Sequence, residues 1–338
     1  MVRSESLSVV GLVEVVAHIP RIYGEYRRLT AEAAREKPDL AILTDSSGFH
    51  LKVAGTLAKL GIPVAYLIAP QAWAWRQGRV KQMRRTIRRL FCIFPFEEIF
   101  FSERGVPTTF IGHPLARIIA PSSPRAEFFA KHGLSPEKPL VVLLPGSRTG
   151  EIRRHLPYLI DFANTMRAKT DAQMVWAAPR EFDLDAIGPT FRERISASSI
   201  QLIVGETWDA IAHSDLAMAA SGTVTMEAAL LGAPMVTFYR VTALSWLLGK
   251  LLVKTPFYSM VNLIAGRTIV PELMQNKVTG QFLAETALPL LERPELREQM
   301  RRDLKAVAAS LETGEDPMRK AAKAIWDEFF GDVGTCLS

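Results

Sequence analysis

Two turns in the second half of the sequence carry residues suited to binding an anionic ligand. The first is Pro145-Gly146-Ser147-Arg148, which ends a run of five apolar residues and precedes a long helical pattern. A buried parallel strand that stops at such a turn leaves free N–H groups and the positive end of a helix beside its carboxyl end. Arg148 adds a guanidinium fork that matches phosphate oxygens. The pattern favours a diphosphate or nucleotide site, against the alternative of an ordinary Pro-Gly turn with a solvent arginine.

The second turn is Ser221-Gly222-Thr223, which follows a strand of small apolar residues. Glu227 stands one turn into the helix that follows, where its carboxylate can accept two hydrogen bonds from a sugar diol. Asn262 lies in an apolar stretch and needs a hydrogen-bonding partner that a ligand could supply. Two such turns in one domain can flank one ligand, whereas helix capping alone is the plainer interpretation.

The first half of the sequence has its own candidates. Asp45 lies in the turn at the carboxyl end of a predicted strand, where functional residues of α/β sheets lie, although capping of the next helix is the commoner role for an aspartate there. Trp73, Trp75 and Arg76 form an aromatic and cationic segment that could cover a sugar face or an acyl chain, or fill a domain interface. His113 is either a residue of the cleft between domains or a hinge residue held by the following proline.

Two segments have the character of a membrane-contacting surface. A helix predicted over 79–89 is rich in arginine, and 242–254 is apolar almost all round. The residues assigned to membrane contact are Arg84, Arg85 and Arg88 on the first segment and Trp246, Leu247, Leu248 and Lys250 on the second. A solvated face and a core helix are the respective alternatives. Nucleic-acid binding is not expected, because no aromatic residues alternate with the arginines.

Composition limits the class of protein. The 338 residues, of which 48% are hydrophobic, favour two domains with a cleft between them. The net charge of +6 suits a phosphorylated substrate or an acidic membrane surface. Two cysteines without metal spacing indicate a reducing compartment, and no membrane span or signal peptide is predicted, so a cytoplasmic protein is expected.

Strands and helices must alternate to position these residues. Predicted strands recur in both halves with helical patterns between them, which is typical of an α/β protein with doubly wound parallel sheets. The Pro- and Ser-rich segment 120–124 predicts a boundary. The domains expected are 1–120, 121–310 and a C-terminal helix and tail, 311–338, that can cross back to the first domain.

Six segments together resemble one family over about residues 8–291. They are 70–76, 94–97, 112–114, 144–148, 220–223 with Glu227, and 262–267. In this order they resemble the lipid-A-disaccharide synthases. The resemblance implies a GT-B glycosyltransferase with two facing Rossmann-like domains. It implies that UDP-2,3-diacylglucosamine and 2,3-diacylglucosamine 1-phosphate (lipid X) are joined with inversion, releasing UDP, at the cytoplasmic surface of the inner membrane of a Gram-negative bacterium.

The resemblance also implies residue roles. Asp45 matches the general base, Arg148 the diphosphate-binding arginine, Ser221 to Thr223 the phosphate turn, and Glu227 the carboxylate on the nucleotide ribose. Trp73, Trp75, Arg76 and His113 belong to the acceptor and lipid cleft, and Gly146, Ser147 and Asn262 to the donor site. No cofactor or metal is expected, and a homodimer is left open.

Two departures from the family qualify these expectations. The family continues its aspartate turn with Pro-Asp-Phe-Asn, whereas this chain has Ser46, Ser47, Gly48, Phe49 and His50. The family also begins with a strand and a Gly-Glu-x-Ser-Gly-Asp turn that this chain lacks, so an incomplete first domain and weak activity are expected. The alternatives are a UDP-N-acetylglucosamine epimerase, a peptidoglycan N-acetylglucosaminyltransferase, and an inactive fragment that binds membrane surfaces.

Overall fold

The chain folds into two compact units, each built on one parallel sheet. A computed structural model describes residues 12–243, 246, 247, 249 and 255–331. Within these residues, the first unit takes the chain up to Pro114 and again from Leu311, and the second takes Leu115–Ser310. The chain therefore passes from one unit to the other twice.

The first unit holds a sheet of four parallel strands in the order β1-β2-β3-β4. The strands are β1 (Ala41–Thr44), β2 (Val64–Leu67), β3 (Arg89–Cys92) and β4 (Thr108–Phe110). The helices before and between them are α1 (Leu12–Glu36), α2 (Ser47–Lys59), α3 (Arg79–Thr86) and α4 (Pro95–Ser102). A helix between each pair of neighbouring strands is the connection that parallel pairing requires.

The second unit holds six parallel strands. They are β5 (Leu140–Leu144), β6 (Gln173–Ala178), β7 (Ile200–Val204), β8 (Leu216–Ala220), β9 (Met235–Tyr239) and β10 (Glu272–Met274). The helices are α5 (Leu115–Ile118), α6 (Arg125–His132), α7 (Thr149–Arg167), α8 (Pro189–Ala197), α9 (Thr207–Ala212), α10 (Thr223–Leu230), α11 (Met260–Ala265), α12 (Gly280–Glu292) and α13 (Pro294–Ser310). Every residue of β5 and β8 is buried, which explains their unbroken apolar sequences.

The strand order of the second sheet reverses between β5 and β8. The order is β10-β9-β8-β5-β6-β7, so the chain first builds outward on one side of β5 and then returns to build on the other. Ligands of doubly wound sheets bind at this reversal, beyond the carboxyl ends of the two central strands. Both turns predicted to bind an anion lie there. The α/β class with parallel sheets is confirmed.

The last described helix completes the core of the first unit. Helix α14 (Pro317–Phe329) places Ala321 against Ala65, Phe91 and Ile111 of the first sheet region. Glu328, near the end of α14, accepts a hydrogen bond from Arg89 Nε at 2.5 Å. A segment that is distant in sequence thus covers part of the first sheet.

The segment predicted as an interdomain linker is fastened to the second unit. Asp209 of α9 accepts hydrogen bonds from the backbone N–H and hydroxyl groups of both Ser122 and Ser123, at 2.8–3.0 Å. The predicted border between residues 120 and 121 consequently falls inside the second unit. The two serines act as partners of a buried carboxylate rather than as a free spacer.

Candidate active site

A pocket of about 540 Å³ opens in the second unit where the two turns meet. Leu144 of β5 lies opposite Ala219 of β8, so the segments that follow these strands reach the same edge of the sheet. Of the eight residues predicted for the donor site, seven line this pocket: Gly146, Ser147, Arg148, Ser221, Gly222, Thr223 and Glu227. Helices α7 and α10 begin at these turns, so the positive ends of two helices face one cavity.

Gly146 is required by the shape of the first turn. Its φ is +123°, in the region that favours glycine, and an added Cβ would lie 2.8 Å from Glu151 Oε2 and 2.9 Å from Glu151 Cβ. The absence of a side chain lets the turn approach Glu151 closely. The glycine after Pro145 therefore allows the loop between β5 and α7 to lie against Glu151 at the start of α7.

Arg148 belongs to a small polar group on one wall of the pocket. Its Nη1 lies 3.3 Å from Glu151 Oε1, and the Tyr239 hydroxyl donates to the same oxygen at 3.0 Å. Burial, together with the negative charge of Glu151, raises the pKa of Tyr239 to about 12. The Arg148 side chain is mostly exposed, so its ion pair with Glu151 is weak and the guanidinium can turn to an anionic ligand. Neither Glu151 nor Tyr239 is among the site residues predicted from the sequence.

Glu227 also lines the pocket and is held in place by a tryptophan. The Trp208 indole N–H donates to its Oε2 at 3.0 Å, which fixes the carboxyl group at the surface of the pocket. Burial raises the pKa of Glu227, and the Trp208 hydrogen bond only partly opposes this rise. Hydroxyl donors from a ligand would favour the ionised form, because a carboxylate accepts hydrogen bonds better than the acid does.

His155 supports the first turn from inside the protein. Its Nδ1 lies 2.7 Å from the Pro145 carbonyl oxygen, and its Nε2 lies 3.1 Å from both the backbone nitrogen and the carbonyl oxygen of Arg240. A neutral ring with its proton on Nδ1 donates to Pro145 and accepts the Arg240 N–H, and burial lowers the pKa of His155. His155 thereby joins the turn after β5 to the segment after β9. A single histidine in a helical pattern gave no sign of this role.

The assignment of Asn262 to the donor site is corrected by its surroundings. The side chain is completely buried, donates to the Val270 carbonyl and Glu272, and accepts the backbone N–H groups of Ile269 and Val270. Its hydrogen-bonding capacity is thus used within the protein. Asn262 shapes the segment between α11 and β10 and does not line the pocket.

Asp45 occupies a constrained position at the end of β1 in the first unit. Its φ is +55°, which is uncommon outside glycine. The Tyr66 hydroxyl donates to the Asp45 carbonyl oxygen at 2.6 Å, and His50 Nδ1 lies 3.0 Å from the same oxygen. Burial, and next the negative charge of Asp45, raise the pKa of Tyr66, which keeps this donor protonated. The backbone contacts leave the exposed Asp45 carboxylate available for chemistry.

The two tryptophans after β2 have different environments. Trp73 is buried, with its indole N–H donating to Glu97 Oε1 at 2.8 Å and its ring edge-on to Phe96. Trp75 is 38% exposed, and the Arg76 guanidinium lies 4.5 Å from the centre of its ring. The prediction that both rings form one surface is therefore wrong for Trp73. Trp73 belongs to the core of the first unit, and only Trp75, two residues later, reaches the surface.

His113 is also a buried residue. Its ring packs against Phe94, its backbone N–H donates to the Leu311 carbonyl, and burial lowers the pKa of His113 to about 4. These contacts agree with the structural alternative for His113, at the point where the first unit resumes at Leu311. They do not support a role on an open cleft surface.

The predicted membrane residues can be located only in part. Arg84, Arg85 and Arg88 are exposed on and just after α3, and Arg88 lies 3.4 Å from Glu328. Leu247 is exposed and Trp246 packs near Tyr258, while Leu248 and Lys250 lie outside the described residues. Over the ranges that the structure describes, no helix is both long enough and apolar enough to cross a bilayer. Nor do three or more His, Cys, Asp or Glu side chains gather there into a metal site.

Comparison with known proteins identifies the family. Residues 1–326 match the lipid-A-disaccharide synthetase family. The lipid-A-disaccharide synthase of Solibacter usitatus is 56% identical over 333 residues, covering 98% of this chain and 86% of that protein. That of Koribacter versatilis is 41% identical, covering 96% and 85%.

Solved structures support the fold assignment. The S. aureus MnaA–UDP co-structure aligns with a TM-score of 0.61 at 12% identity, over 94% of this chain and 82% of that one. At this identity the likeness concerns the fold alone, which is the GT-B fold with a parallel sheet in each of its two units. The sequence relatives decide between the enzyme classes considered, because they favour the synthase over the epimerase. The chain belongs to the lipid-A-disaccharide synthase family of glycosyltransferases.

Proposed function

We propose that this protein joins UDP-2,3-diacylglucosamine to 2,3-diacylglucosamine 1-phosphate, giving the lipid A disaccharide 1-phosphate and UDP. The observation that carries the proposal is the pocket at the strand-order reversal of the second unit. It combines two helix N-termini, an arginine and a carboxylate, which are the groups that a nucleoside diphosphate requires. The donor is assigned to this unit and the acceptor to the first.

The donor site would act chiefly on the leaving group. The N–H groups at the turns after β5 and β8, with Arg148, would stabilise the negative charge that develops on the UDP diphosphate. Glu227, held by Trp208, would accept hydrogen bonds from the ribose hydroxyls. Gly146 supports this arrangement because its missing side chain brings the backbone of the first turn close to the helix.

Asp45 would act on the acceptor. Its carboxylate would take the proton of the acceptor 6-hydroxyl while the hydroxyl oxygen forms a bond to the anomeric carbon of the donor. The bond from that carbon to the diphosphate oxygen breaks, and UDP leaves with the bonding electrons. Displacement in line with the departing diphosphate inverts the anomeric configuration. Tyr66 and His50 would maintain the Asp45 backbone during this step.

Attachment to a membrane surface is a further part of the proposal. Both substrates carry acyl chains, and each CH₂ kept from water is worth about 0.8 kcal/mol. Exposed Leu247 and the basic face containing Arg84, Arg85 and Arg88 support peripheral contact with an anionic bilayer on the cytoplasmic side. A homodimer remains a prediction that analytical ultracentrifugation would test.

Two variants test the assignment of roles. Formation of radiolabelled disaccharide from both substrates in detergent micelles measures activity, and titration calorimetry measures UDP affinity. Asp45→Asn should abolish turnover and leave the UDP dissociation constant unchanged. Arg148→Ala should weaken UDP about tenfold or more, because a charge-assisted hydrogen bond contributes about 1.5–3 kcal/mol.

Arg153→Ala is the matched control for the second variant. Arg153 lies on the same helix, donates to the Ala186 carbonyl and does not line the pocket. It should bind UDP like the wild type. Equal UDP affinity in Arg148→Ala and the wild type would contradict the donor assignment, and turnover by Asp45→Asn would contradict the base.

A further inference from the structure

Two arginines converge on one exposed indole in the first unit. The guanidinium carbon of Arg76 lies 4.5 Å from the centre of the Trp75 ring, and that of Arg79 lies 5.6 Å from it. Burial lowers the pKa of Arg79, and the positive charge of Arg76 lowers it further. The two cations are therefore close enough to repel each other, and Trp75 is the feature that holds them together.

The charges of these two arginines are not balanced by an ion pair with a carboxylate of the described residues. Within the described part of the chain, neither Arg76 nor Arg79 forms an ion pair, whereas Arg88, Arg89 and Arg148 each have a glutamate partner. Arg79 Nη1 reaches only the hydroxyl of Ser47, at 3.3 Å. A partly buried cation without a counterion is unfavourable, and binding of an anion would relieve it.

The helix that carries Arg79 adds to the positive potential. Arg79 is the first residue of α3, and no acidic residue lies in the first turn of this helix. An arginine at a helix N-terminus opposes the helix dipole, which favours negative charge at that end. Arg76, Arg79 and the N-terminus of α3 are thus three sources of positive charge close together. Phosphate groups bind at sites of this kind in proteins.

The arginines lie at the same sheet edge as Asp45. Thr44 and Leu67, the last residues of β1 and β2, are partners in the sheet register, so the segments that follow them begin side by side. Left-handed backbone occurs in these segments at Asp45, at Ile68 with φ +63°, and at Arg76 with φ +57°. For a β-branched residue such as Ile68 this conformation is rare, and strain of this kind concentrates at functional sites.

We infer that Arg79 and Arg76, held by Trp75, bind the phosphomonoester on the anomeric carbon of the acceptor sugar. The inference rests on the proposed function, in which Asp45 acts on the 6-hydroxyl. The 1-phosphate and the CH₂OH group that bears the 6-hydroxyl are carried by the two carbons that flank the ring oxygen, so a phosphate site near Asp45 would orient the ring with its nucleophile toward the base. A phosphomonoester carries up to two negative charges, which matches two guanidinium groups.

The test compares an acceptor that has the phosphate with one that lacks it. Full-length protein is assayed in neutral detergent micelles with 2,3-diacylglucosamine 1-phosphate and with the same sugar bearing a free 1-hydroxyl. Arg79→Gln should raise the KM for the phosphorylated acceptor about tenfold or more, with kcat and the KM for the UDP-sugar unchanged. The KM for the phosphate-free acceptor should not change.

Two further variants make the comparison specific. Arg79→Lys keeps the charge but loses the planar fork, and should show an intermediate KM for the phosphorylated acceptor. Lys81→Gln removes an exposed positive charge from the same helix and should behave like the wild type in micelles. Thermal unfolding of each variant verifies that it is folded.

Two results would overturn the inference. One is an equal loss with both acceptors in Arg79→Gln, and the other is no loss with either. If the second result comes with reduced flotation of the variant with vesicles of anionic phospholipid, the arginines contact lipid headgroups instead.

A direct binding measurement separates this inference from the proposed function. If the wild type forms no disaccharide, the proposed function fails. Titration calorimetry with glucosamine 1-phosphate and glucosamine then decides on the phosphate site alone. The site is supported if the wild type binds the phosphorylated sugar more tightly and Arg79→Gln does not. It is refuted if the wild type binds both sugars equally.

Discussion

The buried carboxyl group of Glu97 should make the stability of the protein depend on pH. Glu97 is 1% exposed and accepts hydrogen bonds from the Trp73 indole at 2.8 Å and the Phe94 backbone N–H at 3.4 Å. Burial raises the pKa of Glu97 from 4.5 to about 8, although both hydrogen bonds favour the ionised form. Each pKa unit corresponds to ~1.4 kcal/mol, so holding Glu97 ionised costs the folded state about 5 kcal/mol.

The direction of the effect follows from the protons bound in each state. The unfolded chain loses the Glu97 proton near pH 4.5, while the folded protein keeps it until about pH 8. Between these values the folded state binds one more proton, so stability falls as pH rises, by ~1.4 kcal/mol per pH unit. From pH 6 to pH 8 the free energy of unfolding should fall by about 2 kcal/mol on account of Glu97 alone.

Glu97→Gln isolates this contribution. The amide has the same shape, offers an oxygen to the Trp73 indole and does not ionise. Urea unfolding at pH 6, 7 and 8, followed by tryptophan fluorescence, measures the free energy of unfolding of the wild type and of the variant. Subtracting the two values at each pH removes the contributions of the other titrating groups. Glu103→Gln, an exposed carboxyl just after the same helix, controls for the loss of one negative charge. If wild type and Glu97→Gln lose the same stability between pH 6 and 8, Glu97 is already ionised in the folded protein and the reasoning is wrong.

The remaining predictions concern the second unit. His155→Ala should lower the free energy of unfolding by about 2–4 kcal/mol and weaken UDP, because the buried contact to Pro145 loses its partner; unchanged UDP affinity in calorimetry would contradict this role. Burial alone would raise the pKa of Asp209, but the hydrogen bonds from two serines outweigh it and lower the pKa. Its stabilisation should therefore be complete at neutral pH and decline as pH falls below about 4, and Asp209→Ala should flatten the acid-unfolding curve there. Gly146→Ala should weaken UDP with little loss of secondary structure by circular dichroism, because the turn must move away from Glu151; wild-type UDP affinity would refute the requirement for glycine.

The pocket could be predicted from the sequence because its turns are local features. A run of apolar residues ended by Pro-Gly or Ser-Gly determines a buried strand, a turn and a helix start within about ten residues. The structure adds that β5 and β8 are neighbours, which brings Arg148 and Glu227 to one cavity. The fold class followed from the alternation of strands and helices, and the family from these two turns together with four other short segments.

Residues that act through distant partners could not be predicted in this way. His155 contacts Pro145 and, across 85 positions of sequence, Arg240. The sequence shows that Asn262 needs a partner but does not show that backbone groups seven and eight residues later supply it. Trp73 and Trp75 are equivalent in the sequence pattern. Only the structure shows that Trp73 is the one that donates a hydrogen bond to the buried Glu97 carboxyl group.

The short strand β10 was also missed. It has only three residues, Glu272 to Met274, and follows a proline, so no apolar alternation indicates it. It is nevertheless in register with β9, with Leu273 opposite Phe238. Pairing with an existing edge stabilises a strand that its own sequence would not specify.

The return of the chain to the first unit has a consequence for biosynthesis. Helix α14 contributes Ala321 to a core whose other members, Ala65, Phe91 and Ile111, are made far earlier. At about 5–20 residues per second, a ribosome needs roughly 10–40 s to travel from Pro114 to the end of this helix. During that interval the sheet of the first unit lacks one of its covering helices, whereas every strand of the second unit has already been synthesised before Leu311. The nascent first unit, rather than the nucleotide-binding one, is therefore the part of this protein that chaperones would have to protect.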